Sequence, residues 1–170
     1  MAFDKLIFEF IFSLSGQNYR IDLLGHLLAR FLPFALIVCL LFLIIKDKEK
    51  FGLIGLQAVF AGFLTKLLIV TPIELLIPRN RPFAALGLNP LIAKEVTGSF
   101  PSSHAAFFFA LSTVVFFKSK SAGIFFYICS FLISLSRIYV GIHWPTDILA
   151  GIFIGLLVGL IFEKIREVRA

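Results

Sequence analysis

Charge and sulfur are both scarce in this chain of 170 residues. Only 15% of positions are charged, and there are two cysteines, one methionine and one tryptophan. Cys39 and Cys129 lie inside apolar runs without zinc-like spacing, which argues against a disulfide framework and a thiolate-held metal. No carboxylate cluster has metal-ligand spacing, so metal-dependent chemistry is disfavoured and no cofactor is expected. There is no internal repeat and no low-complexity linker, which speaks against a repeat array or tethered domains. The N-terminal segment carries Asp4, Lys5 and Glu9 with no small-residue cleavage pattern, so it is not expected to be a removable signal peptide.

Apolar residues are in excess instead. They make up 59% of the chain, 22 of them phenylalanine, with a mean hydropathy of +1.00. A soluble core of this size has no use for so much apolar surface, and the expectation is one all-α integral membrane domain over residues 1–170. The net charge of +6 comes from lysines and arginines scattered beside apolar runs. It is read as membrane topology and attraction to anionic headgroups, not as nucleic-acid binding.

Residues 3–14 mix charge with large apolar side chains and are too short and too charged to span a bilayer. Residues 1–16 are therefore expected to form an interfacial amphipathic helix. Five spans follow at about 23–45, 51–77, 102–117, 122–138 and 148–162, separated by polar segments such as Lys46 to Lys50. His26 and Arg30, at the start of the first span, are read as reaching for the interface. Lys66 and Glu74 lie eight residues apart in the second span, which puts them on one helical face. Ionisable residues inside a membrane are functional candidates, although mutual pairing or snorkelling also explains them.

The chemistry concentrates elsewhere. From Ser136 to Asp147 the chain reads Ser-Arg-Ile-Tyr-Val-Gly-Ile-His-Trp-Pro-Thr-Asp. A helix beginning near Pro145 can carry His143 and Asp147 on one face, where the carboxylate fixes the imidazole tautomer. Arg137 offers a planar cation to a phosphate. The competing reading is a capping aspartate and an interfacial histidine with no chemistry. Two further polar segments are Pro78-Arg79-Asn80-Arg81-Pro82 and Gly98-Ser99-Phe100-Pro101-Ser102-Ser103-His104. The latter opens a helix whose free N–H groups suit an anion.

Counting spans places all three polar segments on the same membrane face. Arg81, His104, Arg137 and His143 can therefore converge. The opposite face carries eight lysines and arginines, from Lys46 to Arg169, against three (Lys5, Arg20 and Lys94) once Arg79, Arg81 and Arg137 are assigned to chemistry. By that asymmetry the site faces outward, away from the cytoplasm. Two histidines, several arginines and a serine-bearing helix start are phosphoryl-transfer equipment.

At these residues the sequence resembles the type 2 phosphatidic acid phosphatases, integral-membrane lipid phosphatases with three signatures. Ser136-Arg137, His143 and Asp147 match the third, Ser-Arg-x5-His-x3-Asp, in full. Pro101-Ser102-Ser103-His104 matches the second with serine in place of glycine. Arg81-Pro82 matches the end of the first, Lys-x6-Arg-Pro, but Glu74 stands at its lysine position. The resemblance implies that His143 is a nucleophile oriented by Asp147, that His104 is the acid for the leaving group, and that Arg81, Arg137, Ser102 and Ser103 bind phosphate. Arg79 is the preferred substitute for the missing lysine, with Lys66 as the alternative. The implied activity is metal-independent hydrolysis of a membrane lipid phosphate or diphosphate through a phosphohistidine. Undecaprenyl diphosphate is favoured over the lipid A 1-phosphate and phosphatidylglycerol phosphate, and the bacterial inner membrane is the expected location. The readings of another kind are a small transporter or channel lined by Lys66, Glu74, His104 and Asp147, and a catalytically silent lipid-binding protein.

Overall fold

The protein is described by a computed structural model covering residues 2–96 and 98–168, so Arg169, counted in the charge asymmetry, lies outside the described residues. Among the described residues the fold is all-helical. The helices are α1 (Ala2–Phe12), α2 (Tyr19–Arg30), α3 (Leu32–Lys46), α4 (Lys48–Leu64), α5 (Thr71–Leu76), α6 (Pro82–Leu86), α7 (Ser103–Lys118), α8 (Lys120–Tyr139) and α9 (Pro145–Val168). A π-helical segment, Thr65–Val70, joins α4 to α5, so that residues 48–76 make one rod of 29 residues. That rod, α8 and α9 are each long and apolar enough to cross a membrane.

Helix α7 is the axis of the bundle. It packs against α9, α8 and α4, and its residues from Ala105 to Val115 are buried, Phe107 in part. A helix apolar on all sides is stable only when surrounded. Its contact with α9 is unusually close because Gly151, Gly155 and Gly159 present backbone to it at four-residue intervals. A methyl group at Gly151 would stand 2.6 Å from the Ser102 carbonyl, and one at Gly155 2.4 Å from that of Ala106. Small residues at this spacing let two membrane helices touch along their backbones. The outer faces carry exposed Phe34, Phe42, Phe60, Phe131, Phe153 and Leu157, a lipid-facing surface that water would not tolerate.

The expected first span, 23–45, is broken. Helices α2 and α3 meet at an angle of 51° around Phe31. Pro33 sits in the first turn of α3 and has no N–H to give to the carbonyl of Ala29, four residues back. That freed carbonyl accepts instead from Arg137 Nη1 at 3.1 Å, which ties the bend to the polar end of the bundle. Helix α1, about 16 Å long, is too short to span. It buries Phe8 against Trp144 and Phe12.

Candidate active site

The polar segments meet at one end of the bundle, where the start of α7, the end of α8 and the turn before α9 lie side by side. Arg81 caps α6 from a loop, and its backbone N–H is held by the Val96 carbonyl at 2.9 Å. Its Nη1 donates to the Ile142 carbonyl at 2.9 Å and contacts His143 Nε2 at 3.2 Å, while Nη2 donates to the Gly98 carbonyl at 2.7 Å. Gly98 adopts φ +74°, and a side chain there would collide with Glu74, so the loop can present this carbonyl only with glycine in place.

His143 is buried, and its two neighbours decide its tautomer. The Ser99 carbonyl, 2.9 Å from Nδ1, can only accept, and the Arg81 guanidinium at Nε2 can only donate. Nδ1 therefore carries the proton and Nε2 a lone pair. Burial, reinforced by the Arg81 charge and opposed by Asp147, pushes the imidazole pKa down to about 4. A neutral ring with a lone pair on Nε2 is the form that can attack an electrophile, once a bound anion draws the Arg81 N–H away from that lone pair.

The sequence places His143 and Asp147 on one helical face, but α9 begins at Pro145 and leaves His143 outside it. The carboxylate Oδ2 stands 3.6 Å from His143 Nδ1, farther than the Ser99 carbonyl. It accepts instead from Ser99 Oγ at 2.5 Å and from the Trp144 N–H at 2.8 Å, closing the first turn of α9 from within. Asp147 thus orients the histidine through the segments on either side of it.

Arg79 does not reach the phosphate side. Its Nη1 donates to Asp147 Oδ1 at 2.6 Å and to Thr146 Oγ1 at 2.7 Å, and its Nη2 to Asp4 Oδ2 at 2.5 Å. Two carboxylates claim this guanidinium behind Asp147, so the expectation that it replaces the motif lysine is corrected. Asp4 also accepts from the Thr146 N–H and hydroxyl, which makes α1 a brace for the turn. Sequence reasoning missed this partner, because Asp4 shares its stretch with Lys5 and Glu9 and nothing there singles it out.

His104 is the second residue of α7, and Arg137 Nη2 donates to its Nδ1 at 2.6 Å. By the same logic its proton lies on Nε2. Ser102 caps α7, its N–H bonded to the Asp147 carbonyl at 3.0 Å, and Ser103 follows in the first turn. Three buried polar atoms here have no protein partner: Ser102 Oγ, Arg81 Nε and Arg137 Nε. Buried orphans carry a cost unless something meets them. Arginine Nε can only donate and a serine hydroxyl can donate, so an anion satisfies all three.

Glu74 lies against Gly98, while Lys66 lines a groove beside His104. The intervening π-helical segment upsets the two-turn spacing, and no ion pair joins them among the described residues. The loop adds a cation that the sequence reading left to topology. Lys94 is held below its usual pKa by partial burial and by the charges of Arg81 and Arg137, with Glu74 acting in the opposite sense.

Comparison with known proteins decides what this arrangement is. The PAP2 superfamily profile matches residues 7–169. The chain belongs to the PAP2 superfamily. This PAP2 chain is 30% identical over 164 residues to the bacitracin transport permease protein BcrC of Bacillus licheniformis, covering 94% of the chain and 80% of the relative. It is 26% identical over 168 residues to the undecaprenyl-diphosphatase BcrC of Bacillus subtilis, covering 95% and 83%. The crystal structure of Aquifex aeolicus LpxE superposes with a TM-score of 0.74 at 27% identity, covering 93% of each chain. The motif resemblance is borne out, and the PAP2 protein is a membrane phosphatase, a hydrolase of phosphate esters.

Proposed function

We propose that this protein removes the terminal phosphate of a lipid diphosphate at the outer face of a bacterial inner membrane, with undecaprenyl diphosphate as the favoured substrate. The observation that carries the reading is the set of unmet polar atoms, Ser102 Oγ, Arg81 Nε and Arg137 Nε, at the end of the bundle where His143 Nε2 holds its lone pair toward Arg81. They would hold the transferred phosphoryl group together with the Ser103 and His104 N–H groups at the start of α7. His143 Nε2 attacks phosphorus and the bond to the bridging oxygen breaks. Once the anionic headgroup draws Arg137 away from Nδ1, His104 can take a second proton there and give its Nε2 proton to that oxygen. Water then displaces the phosphoryl group from His143, passing a proton to His104 and releasing inorganic phosphate. Positive charge comes from arginines, with no metal ion in the scheme. Undecaprenyl diphosphate is favoured because the Bacillus subtilis relative named for it matches along 95% of this chain. A channel lined by Asp147 is disfavoured, since that carboxylate is fully buried and occupied by Arg79, Ser99 and Trp144.

The test is phosphate release in detergent with a chelator present, comparing undecaprenyl diphosphate, lipid A 1-phosphate and phosphatidylglycerol phosphate. His143→Ala should abolish turnover, and rapid quenching of the native enzyme should trap acid-labile phosphate on His143. Near-normal turnover in the variant, or activity lost to chelator and restored by magnesium, would overturn the scheme.

A further inference from the structure

Two cations beside the site take no part in the set around His143. Arg30 ends α2 and Lys66 lies in the π-helical segment, and both side chains are exposed. Both line one groove of about 220 Å³ with His104, Phe63, Phe107 and Phe108. Among the described residues neither forms an ion pair. Two irregularities of the fold bring them there: the 51° bend that ends α2 beside Arg137, and the π-helical segment that carries Lys66. Two unpaired cations set among proline and phenylalanine side chains offer a place to an anion.

The groove's position says which anion. It reaches the start of α7 at Ser103 and His104, the latter the acid for the leaving oxygen, and does not include Arg81, Ser102, Arg137 or His143. What occupies it is therefore the leaving group, with phenylalanine walls for a hydrocarbon chain. The leaving group of a lipid monophosphate is an alcohol, neutral once protonated, and has no use for two cations. The leaving group of a lipid diphosphate is itself a phosphate, carrying charge after the bridging bond breaks. We infer that Arg30 and Lys66 form a subsite for the lipid-attached phosphate of a diphosphate substrate and set a preference for diphosphates over monophosphates. The inference rests on the phosphatase reading above and names the residues that would give it its diphosphate preference.

Farnesyl diphosphate and farnesyl phosphate, matched in chain, separate the two cases in a micellar phosphate-release assay. Wild-type enzyme should favour the diphosphate. The Arg30→Gln/Lys66→Gln double variant should lose about tenfold or more in kcat/KM on the diphosphate while staying within about threefold on the monophosphate. Inhibition by inorganic phosphate, which fills only the transferred-phosphoryl site, should be unchanged and also reports that the variant is folded. Equal losses on both substrates, weakened phosphate inhibition, or no loss on either substrate would overturn the subsite. A wild-type enzyme that turns over neither these substrates nor undecaprenyl diphosphate would instead overturn the proposed lipid diphosphatase reading itself.

Discussion

Gly151→Ala isolates the contact that sets the active site. The added Cβ would stand 2.6 Å from the Ser102 carbonyl and 2.9 Å from Ala105 Cβ, against 3.4 Å for ordinary contact. Backbone cannot swing aside as a flexible side chain would. The start of α7 must therefore retreat from α9 by about 0.8 Å, the difference between 3.4 and 2.6 Å. That movement stretches the Ser102 N–H bond to Asp147 and draws Ser102, Ser103 and His104 away from His143 together. A displacement near 1 Å of this kind costs up to about 10²-fold in rate, so kcat should fall by roughly ten- to a hundredfold. Gly159→Ala is the control, with a comparable clash of 2.5 Å against Thr113 Cβ. It lies eight residues, about 12 Å, farther along the helix. Both variants should lose about 1–3 kcal/mol to overpacking and melt earlier. Turnover per folded molecule should drop only in Gly151→Ala. A Gly159→Ala enzyme as impaired as Gly151→Ala, or a Gly151→Ala enzyme with native turnover, would refute the claim that α7–α9 contact sets the catalytic geometry.

Other predictions concern charge at the site. Lys94→Gln should lower kcat/KM by about tenfold if this loop lysine serves the transferred phosphate in place of the one absent at Glu74, and adding Glu74→Lys should recover part of the loss. Native activity in Lys94→Gln would reject that role. His143 must be neutral to attack, and its pKa of about 4 keeps it so well below pH 6.5, so the acid limb of kcat/KM attributable to it should lie near pH 4. The same shift acts on stability. Between 6.5 and about 4 the unfolded chain binds a proton that the folded chain does not. His143 therefore supports the fold above pH 6.5, and up to about 3 kcal/mol of that support is lost as the pH falls to 4. Thermal melts of the wild type should fall across this window more steeply than those of His143→Phe, and parallel curves would reject the assignment.

The helical membrane class was legible because hydropathy is a bulk property, and it needs no knowledge of which helix touches which. The convergence of Arg81, His104, Arg137 and His143 was legible from parity, since alternate helix ends must share a face. The bend at Phe31 was not read, though its cause is local: Pro33 removes one donor, and only the tertiary structure shows Arg137 taking the carbonyl it frees. The four-residue glycine repeat of α9 was a signal in plain sight that marked the helix pressed against α7. Arg79 was misplaced for a different reason. Its place in the loop at the level of the site suggested the task, but a side chain's direction is set by its partners, and Asp4 lies 75 residues away.

The environment of Asp147 alters the usual argument about a carboxylate beside a catalytic histidine. Such a pair raises the basicity of the ring when the carboxylate accepts directly from it. Here Arg79 neutralises Asp147, Ser99 Oγ and the Trp144 N–H fill its other oxygen, and the ring proton goes to the Ser99 carbonyl. A neutral carbonyl fixes the tautomer without supplying the charge that would protonate Nε2. Orientation and basicity are thereby separated: the network holds the ring still, and burial keeps it neutral. Asp4 belongs to this logic, since by sharing Arg79 with Asp147 it anchors the cation whose charge Asp147 requires. Helix α1 thus holds the buried carboxylate next to His143 in place through one arginine.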